Sequence, residues 1–265
     1  MSHLLIIPDI HGRKFWRKAI ADNIGNVDKV IFLGDYLDPY ENEIDENPEL
    51  MECDDFYNCK NLLKMLEDII SLKKNEPNKY ILLTGNHTDS YIWSKFHAAS
   101  RTDYKNWEKY HKFFSQNLEY FNLVWIENDA IFSHAGISEG WAKKVWKTLE
   151  FPENESFSIK EIAEVLRDTP LSKFNEHYIR RIGDISHYRG GDMFYGSSEW
   201  ADLREHIDCK NSTSSNLIPI GKDGIYQVFG HTQLKRPLIN DKWACLDCRK
   251  GFIFDIITHE CSSCL

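Results

Sequence analysis

Five short clusters hold the residues of this chain that could do chemistry: Asp9-Ile10-His11-Gly12, Gly34-Asp35-Tyr36-Leu37-Asp38, Gly85-Asn86-His87, Ser133-His134-Ala135-Gly136 and Gly230-His231-Thr232. They offer carboxylates, an amide oxygen and imidazoles. That donor set is too rich in nitrogen for magnesium alone, and it lacks the thiolates of a structural zinc site. A pair of first-row transition metals suits it best. Asp9 and His11 can reach one ion where the chain turns, and a carboxylate such as Asp35 is the natural bridge between two.

The elements that must position these clusters are the apolar runs directly before them: Leu4-Leu5-Ile6-Ile7, Val30-Ile31-Phe32-Leu33, Tyr80-Ile81-Leu82-Leu83, Ala130-Ile131-Phe132 and Tyr226-Gln227-Val228-Phe229. Continuous runs of this length read as strands buried on both faces. Polar groups at the carboxyl ends of such strands converge on one crevice. Helical spacing predicts helices over 13–24, 56–72, 91–97, 104–118, 140–149, 159–167 and 174–182, the cleanest being 56–72 with Leu62, Leu63, Leu66, Ile69 and Ile70. The aromatic stretch 104–118 is either a packing face or a wall that receives a substrate ring. Residues 123–132 read as a hairpin with a polar turn. The acidic stretch 41–55, broken by Pro48, is an exposed insertion or an acidic lip beside the metals. Residues 183–220 are expected as long loops draped over the metal rim, a loop-rich cap. The last third returns to strands, with 242–246 and 252–256 supplying the second sheet.

The 265 residues carry 42% hydrophobic and 28% charged residues, ordinary for a globular protein. Thirty-two Lys and Arg against 41 Asp and Glu give a net charge of −9, which argues against stable binding to duplex nucleic acid. The chain enters a strand without a charged and apolar leader, and no apolar stretch approaches a membrane span. Seven cysteines, an odd count, suit reduced thiols in a cytoplasm. Oligomeric state is not legible.

In this order the five clusters resemble the motifs of calcineurin-like metallophosphoesterases, and within them the phosphoprotein-phosphatase branch with its small bacterial and phage members. The likeness runs from Leu4 to Phe254. It implies an α/β fold, a four-layer sandwich of two mixed β-sheets packed face to face and flanked by helices, forming a single domain over 1–265. It implies hydrolysis of a phosphate monoester, in a phosphoprotein, nucleotide or small molecule, by attack of metal-bound hydroxide. The cofactors would be two divalent ions, Mn²⁺, Fe²⁺/³⁺ or Zn²⁺. By the same resemblance Asp9, His11 and Asp35 belong to the first metal, and Asn86, His134 and His231 complete the second. His87 would be the general acid, with Asp38 holding its imidazole in the right tautomer.

Three positions depart from that pattern. Gln233 stands where many members carry a second histidine, which favours the phosphoprotein-phosphatase branch. Pro39-Tyr40 replaces the Arg-Gly with which that branch grips the phosphoryl group, and Thr88 replaces a glutamate. A phosphodianion still needs a cation. The expected sources are Arg189, followed by two glycines, and Arg204, after Trp200-Ala201-Asp202, a tripeptide similar to one before the last motif in relatives. Loss of the motif arginine keeps a phosphodiesterase or dinucleoside-polyphosphate hydrolase in view, because diesters carry less charge. A catalytically silent binding module of the same fold is the third reading. Cys245-x-x-Cys248 and Cys261-x-x-Cys264 are either zinc ligands or plain thiols, with a hairpin through Arg249-Lys250-Gly251 expected to pair Cys245 near Phe254 or Asp255.

Overall fold

β-branched and large apolar side chains make each of the five runs a short, fully buried strand, because only a pleated segment can bury both faces and still satisfy its backbone. The computed structural model describes residues 2–41, 48–51, 57–93, 99–149, 158–174, 182–207 and 225–264. Two compact units emerge, Met1–Phe121 with Arg249–Leu265, and Asn122–Cys248.

In the first unit the order is β1 (His3–Ile7), α1 (Phe15–Asn23), β2 (Lys29–Phe32), α2 (Cys59–Asn75), β3 (Tyr80–Leu83), α3 (Asn86–Ile92) and α4 (Trp107–Asn117). A two-residue strand, β4 (Phe121–Asn122), ends the run. After the second unit the chain returns with β10 (Phe252–Asp255) and β11 (Cys261–Ser263). The sheet is ordered β11-β10-β1-β2-β3-β4. β1, β2 and β3 are parallel, with Ile7 opposite Phe32 and Phe32 opposite Leu82, so Asp9, Asp35 and Asn86 leave the sheet at one end. α2 is capped by the Asn58 side chain, which accepts from the Asn61 N–H, and it closes with Lys73 and Lys74 in its last turn. Its buried stripe of Leu62, Met65, Leu66, Ile69 and Ile70 stabilises the unit by about 1.5–3 kcal/mol per side chain.

The second unit runs β5 (Val124–Glu127), β6 (Ala130–Ser133), α5 (Glu139–Thr148), α6 (Ile159–Asp168), α7 (Arg204–Ile207), β7 (Tyr226–Phe229), β8 (Leu238–Ile239) and β9 (Trp243–Cys245). Its sheet is ordered β5-β6-β7-β9-β8. β5 and β6 form the expected hairpin, turning at Asn128 with φ 53°. Ser138 and Ser158 cap α5 and α6. β6 and β7 are parallel with Phe132 opposite Val228, which aligns the chain ends that carry His134 and His231. The result is the expected α/β class, two mixed sheets flanked by helices.

Several expectations need correction. The helix after Gly85 begins at Asn86, inside the motif, rather than at Tyr91. β10 does not join the second sheet: it pairs antiparallel with β1, because the chain returns to the first unit after Cys248. Cys245 therefore does not pair with Phe254; Cys261 does, on β11, a strand too short and polar to announce itself. Residues 182–207 run as turns and irregular chain apart from one 3-10 turn and α7, with Ile182, Ser197, Ser198, Trp200, Ala201 and Leu203 buried. The expected features over 42–47, 52–56, 94–98, 175–181 and 208–224 lie outside the described residues. Among the described residues no helix is long and apolar enough to cross a membrane.

Gly34 makes the closest approach between motif loops. Its φ is +108°, and a Cβ there would lie 2.5 Å from the Thr84 carbonyl oxygen. Gly34→Ala should lower stability by about 2 kcal/mol or more. Gly25→Ala, where a Cβ meets nothing within 4 Å, should leave it unchanged or raise it by about 0.4–1 kcal/mol. Urea denaturation of both variants checks this, and equal midpoints would overturn it.

Candidate functional site

In the first unit the loops after β1 and β2 are locked together by backbone bonds. The Ile10 and His11 N–H groups both donate to the Asp35 carbonyl, each at 2.9 Å, and the Gly12 N–H donates to Tyr36 at 3.0 Å. The Tyr36 hydroxyl crosses to the Leu83 carbonyl at 2.9 Å, tying β2's loop to the end of β3. The Asp35 carboxylate accepts the His87 N–H at 2.9 Å, one of the first-turn N–H groups of α3 that the helix itself cannot satisfy. Asp9, His11, Asp35, Asp38, Asn86 and His87 are all buried.

Two imidazoles there are held in defined tautomers. His11 Nδ1 lies 2.7 Å from the Leu37 carbonyl, an acceptor only, so Nδ1 carries the proton and Nε2 presents its lone pair, 3.8 Å from Asp35 Oδ2. Burial, with the neighbouring His87 adding to it, pushes the His11 imidazole well below its usual value, so it is neutral at neutral pH. His87 Nδ1 faces Asp38 Oδ2 at 2.7 Å, and the Tyr91 hydroxyl donates to Asp38 Oδ1 at 2.5 Å. Burial pushes the Asp38 carboxyl up, while the bonds from His87 and Tyr91 oppose that shift. The His11 and His87 rings meet edge to face at 4.9 Å between centroids.

In the second unit, His134 Nε2 and His231 Nδ1 face each other at 3.0 Å, and the Gly230 N–H donates to the His134 carbonyl at 2.8 Å. Gln227, on β7, clasps Ile137 through both its amide atoms, at 2.9 and 3.1 Å, and so fixes the turn beyond His134. Arg189 and Arg204 converge on one carboxylate. Arg189 Nε lies 2.6 Å from Asp202 Oδ2 and Arg204 Nε 2.8 Å from Oδ1, while Arg189 Nη2 donates to Thr232 Oγ1 at 2.8 Å.

Sequence reasoning missed Tyr91, Tyr40 and Arg101. The Arg101 guanidinium stacks on the Tyr40 ring at 3.6 Å, Nε donates to the Asp38 carbonyl at 3.2 Å, and Nη2 lies 3.5 Å from His87 Nε2. No sequence signal marks these residues, and for Arg101 the structure adds backbone strain. Of the eight described non-glycine residues at positive φ, five are His11, Asp35, Asp38, Arg101 and His231, and such conformations cost about 1–3 kcal/mol each unless the surroundings impose them.

The family model described as calcineurin-like phosphoesterase matches residues 2–233, most of the chain. The chain belongs to that family. Among solved structures, a cold-active protein tyrosine phosphatase is 16% identical at a TM-score of 0.52, covering 99% of this chain and 78% of its own, which is a likeness of fold. A protein serine/threonine phosphatase from Saccharomyces cerevisiae, with similarity to human phosphatase PP5, is 13% identical at a TM-score of 0.49, covering 95% of this chain and 71% of its own. No curated protein matches the chain at a significant level.

This calcineurin-like phosphoesterase carries donors that fit divalent metal ions. His11, Asp35 and His87 offer ligand atoms all within 4.8 Å of one another. The His11 tautomer points the lone pair of Nε2, not a proton, at the Asp35 carboxylate, as a metal ligand requires. The described cysteines are thiols in no disulfide.

Asp202 gives a test of the paired arginines. Burial pushes its carboxyl up, but the bonds from Arg204 and the charge of Arg189 outweigh this and hold it below the usual value. A depressed folded pKa contributes stability that is present above about pH 4 and is lost as pH falls through the folded value. Asp202→Asn should therefore cost about 1–3 kcal/mol near neutral pH, with the deficit shrinking below about pH 4. Urea midpoints of the two proteins at both pH values check this; a deficit independent of pH would refute it.

Proposed function

We propose that this protein is a metal-dependent phosphoesterase that hydrolyses phosphate monoesters, in which His87 is the general acid. The observation that carries the reading is the buried His87–Asp38 pair at 2.7 Å, set beside the donors His11 and Asp35. The residues that would hold divalent ions are Asp9, His11, Asp35 and Asn86 in the first unit and His134 and His231 in the second. Bound divalent ions would supply an activated water at neutral pH and neutralise phosphoryl charge. Mn²⁺, Fe²⁺/³⁺ and Zn²⁺ all suit oxygen and imidazole donors.

The chain's own groups divide the remaining work. Asp38 keeps the His87 proton on Nδ1 in the resting imidazole, so Nε2 is the atom that carries a second proton to the leaving oxygen. Tyr91 holds Asp38 against rotation through the other carboxylate oxygen. Asp35 holds the His87 backbone with Oδ1 and turns Oδ2 towards His11, so one carboxylate positions both the acid and the ligand set.

The substrate class is tested by comparing a phosphopeptide, a nucleoside monophosphate, a bis-nitrophenyl diester and a dinucleoside polyphosphate with Mn²⁺ added. Preference for either of the last two would replace the monoester reading, and no activity with no metal bound would mean a silent binding module. Asp35→Asn should abolish full metal loading, and metal analysis showing undiminished content would remove Asp35 from the ligand set. His87→Asn should lower kcat by about 10²–10⁴-fold on an alkyl phosphate, and much less on nitrophenyl phosphate, whose leaving group needs little protonation. Equal losses on both would assign His87 a positioning role instead.

A further inference from the structure

The phosphoryl group of a monoester carries a charge that needs a fixed cation as well as metals. Arg189 and Arg204 are both committed to Asp202, and Arg204 spends another N–H on the Tyr188 carbonyl. Arg13 is buried, with Nη1 donating to the Asp9 carbonyl. Arg101 differs from all three. It is half-buried, and among the described residues it forms no ion pair. Its acceptors among the described residues are a backbone carbonyl, the Ser100 hydroxyl at 3.1 Å and, distantly, His87 Nε2. A guanidinium has five N–H donors, so donors remain on the edge that faces His87.

We propose that Arg101, stacked on Tyr40 and set 3.5 Å from His87 Nε2, is the cation that grips the phosphoryl oxygens of the substrate. This rests on the phosphoesterase reading and narrows it to phosphate monoester dianions. An ester oxygen that takes a proton from His87 Nε2 brings its phosphoryl group within reach of Arg101 Nη2, because the two nitrogens are neighbours. The guanidinium is preorganised on three sides. The Tyr40 ring covers one face, Nε is anchored on the Asp38 carbonyl, and the backbone is held at φ 62°. A planar fork so fixed suits two phosphoryl oxygens. The aromatic residue that follows Pro39 thus serves a charge supplied by a distant loop.

Two variants test this: Arg101→Gln, which keeps length and hydrogen bonding but removes charge, and Arg101→Lys, which keeps charge but not the fork. At matched metal content, calorimetric titration with inorganic phosphate should show Arg101→Gln binding about ten- to a hundred-fold more weakly than wild type, with Arg101→Lys in between. The kcat/KM for a monoester should fall by the same order and that for a diester by less. Unchanged phosphate affinity would overturn the proposal. So would equal losses on both esters with phosphate binding intact, since that pattern belongs to a prop for Asp38. Should wild type hydrolyse neither ester, the phosphoesterase reading fails by itself, while the phosphate titration still decides Arg101.

Discussion

Everything in the first unit's polar edge depends on how Asp35 satisfies its neighbours. Three parallel strands end side by side, and each releases a loop whose backbone groups are out of water and have no ladder to join. The Asp35 carbonyl takes two N–H groups from the β1 loop, and its carboxylate takes one from the start of α3. One residue therefore closes three chain segments on each other. Left unmade, each of those bonds would cost about 1–3 kcal/mol. The φ of 46° that Asp35 adopts is the conformation that lets carbonyl and carboxylate serve opposite sides, and the glycine before it admits the Thr84 carbonyl where any side chain would collide.

That arrangement explains why strain gathers where it does. His11 and Asp38 flank Asp35 in the same hydrogen-bonded loops and share its positive φ. Each pays a local backbone penalty that only a rigid surround can impose. The surround is the parallel sheet, whose strand residues from Leu4 to Ile7 and from Val30 to Leu33 are fully buried. Packing energy in the sheet thus holds polar groups in orientations that an isolated loop would abandon.

The sequence made the strand ends, the hairpin and the long amphipathic helix legible because each has a period or a turn residue that physics demands. It hid α3 because all seven of its residues, Asn86 to Ile92, are buried, so no polar face alternates with an apolar one. It hid β4, β8 and β11 because two or three residues carry no period. The return of β10 to the first sheet was illegible for another reason. Phe252 and Phe254 alternate with half-buried neighbours as an edge-facing strand of either sheet would, and only three-dimensional pairing with β1 chooses. Among site residues, the motif members could be read because their types are restricted. Arg101 and Tyr91 could not, since an arginine in a loop and a tyrosine in a helix are ordinary until Asp38 and Tyr40 are found against them.

The two histidines of the first unit are held by one device with two different acceptors. Each has its Nδ1 proton fixed by an oxygen, leaving Nε2 as the working atom. For His11 the oxygen is a neutral backbone carbonyl, and burial keeps the ring uncharged. For His87 it is the Asp38 carboxylate, whose other oxygen accepts from the Tyr91 hydroxyl. Their rings meet edge to face at 4.9 Å between centroids, and His87 adds to the burial that lowers the His11 pKa. The difference between the two rings lies in the acceptor each loop supplies, not in the histidines themselves.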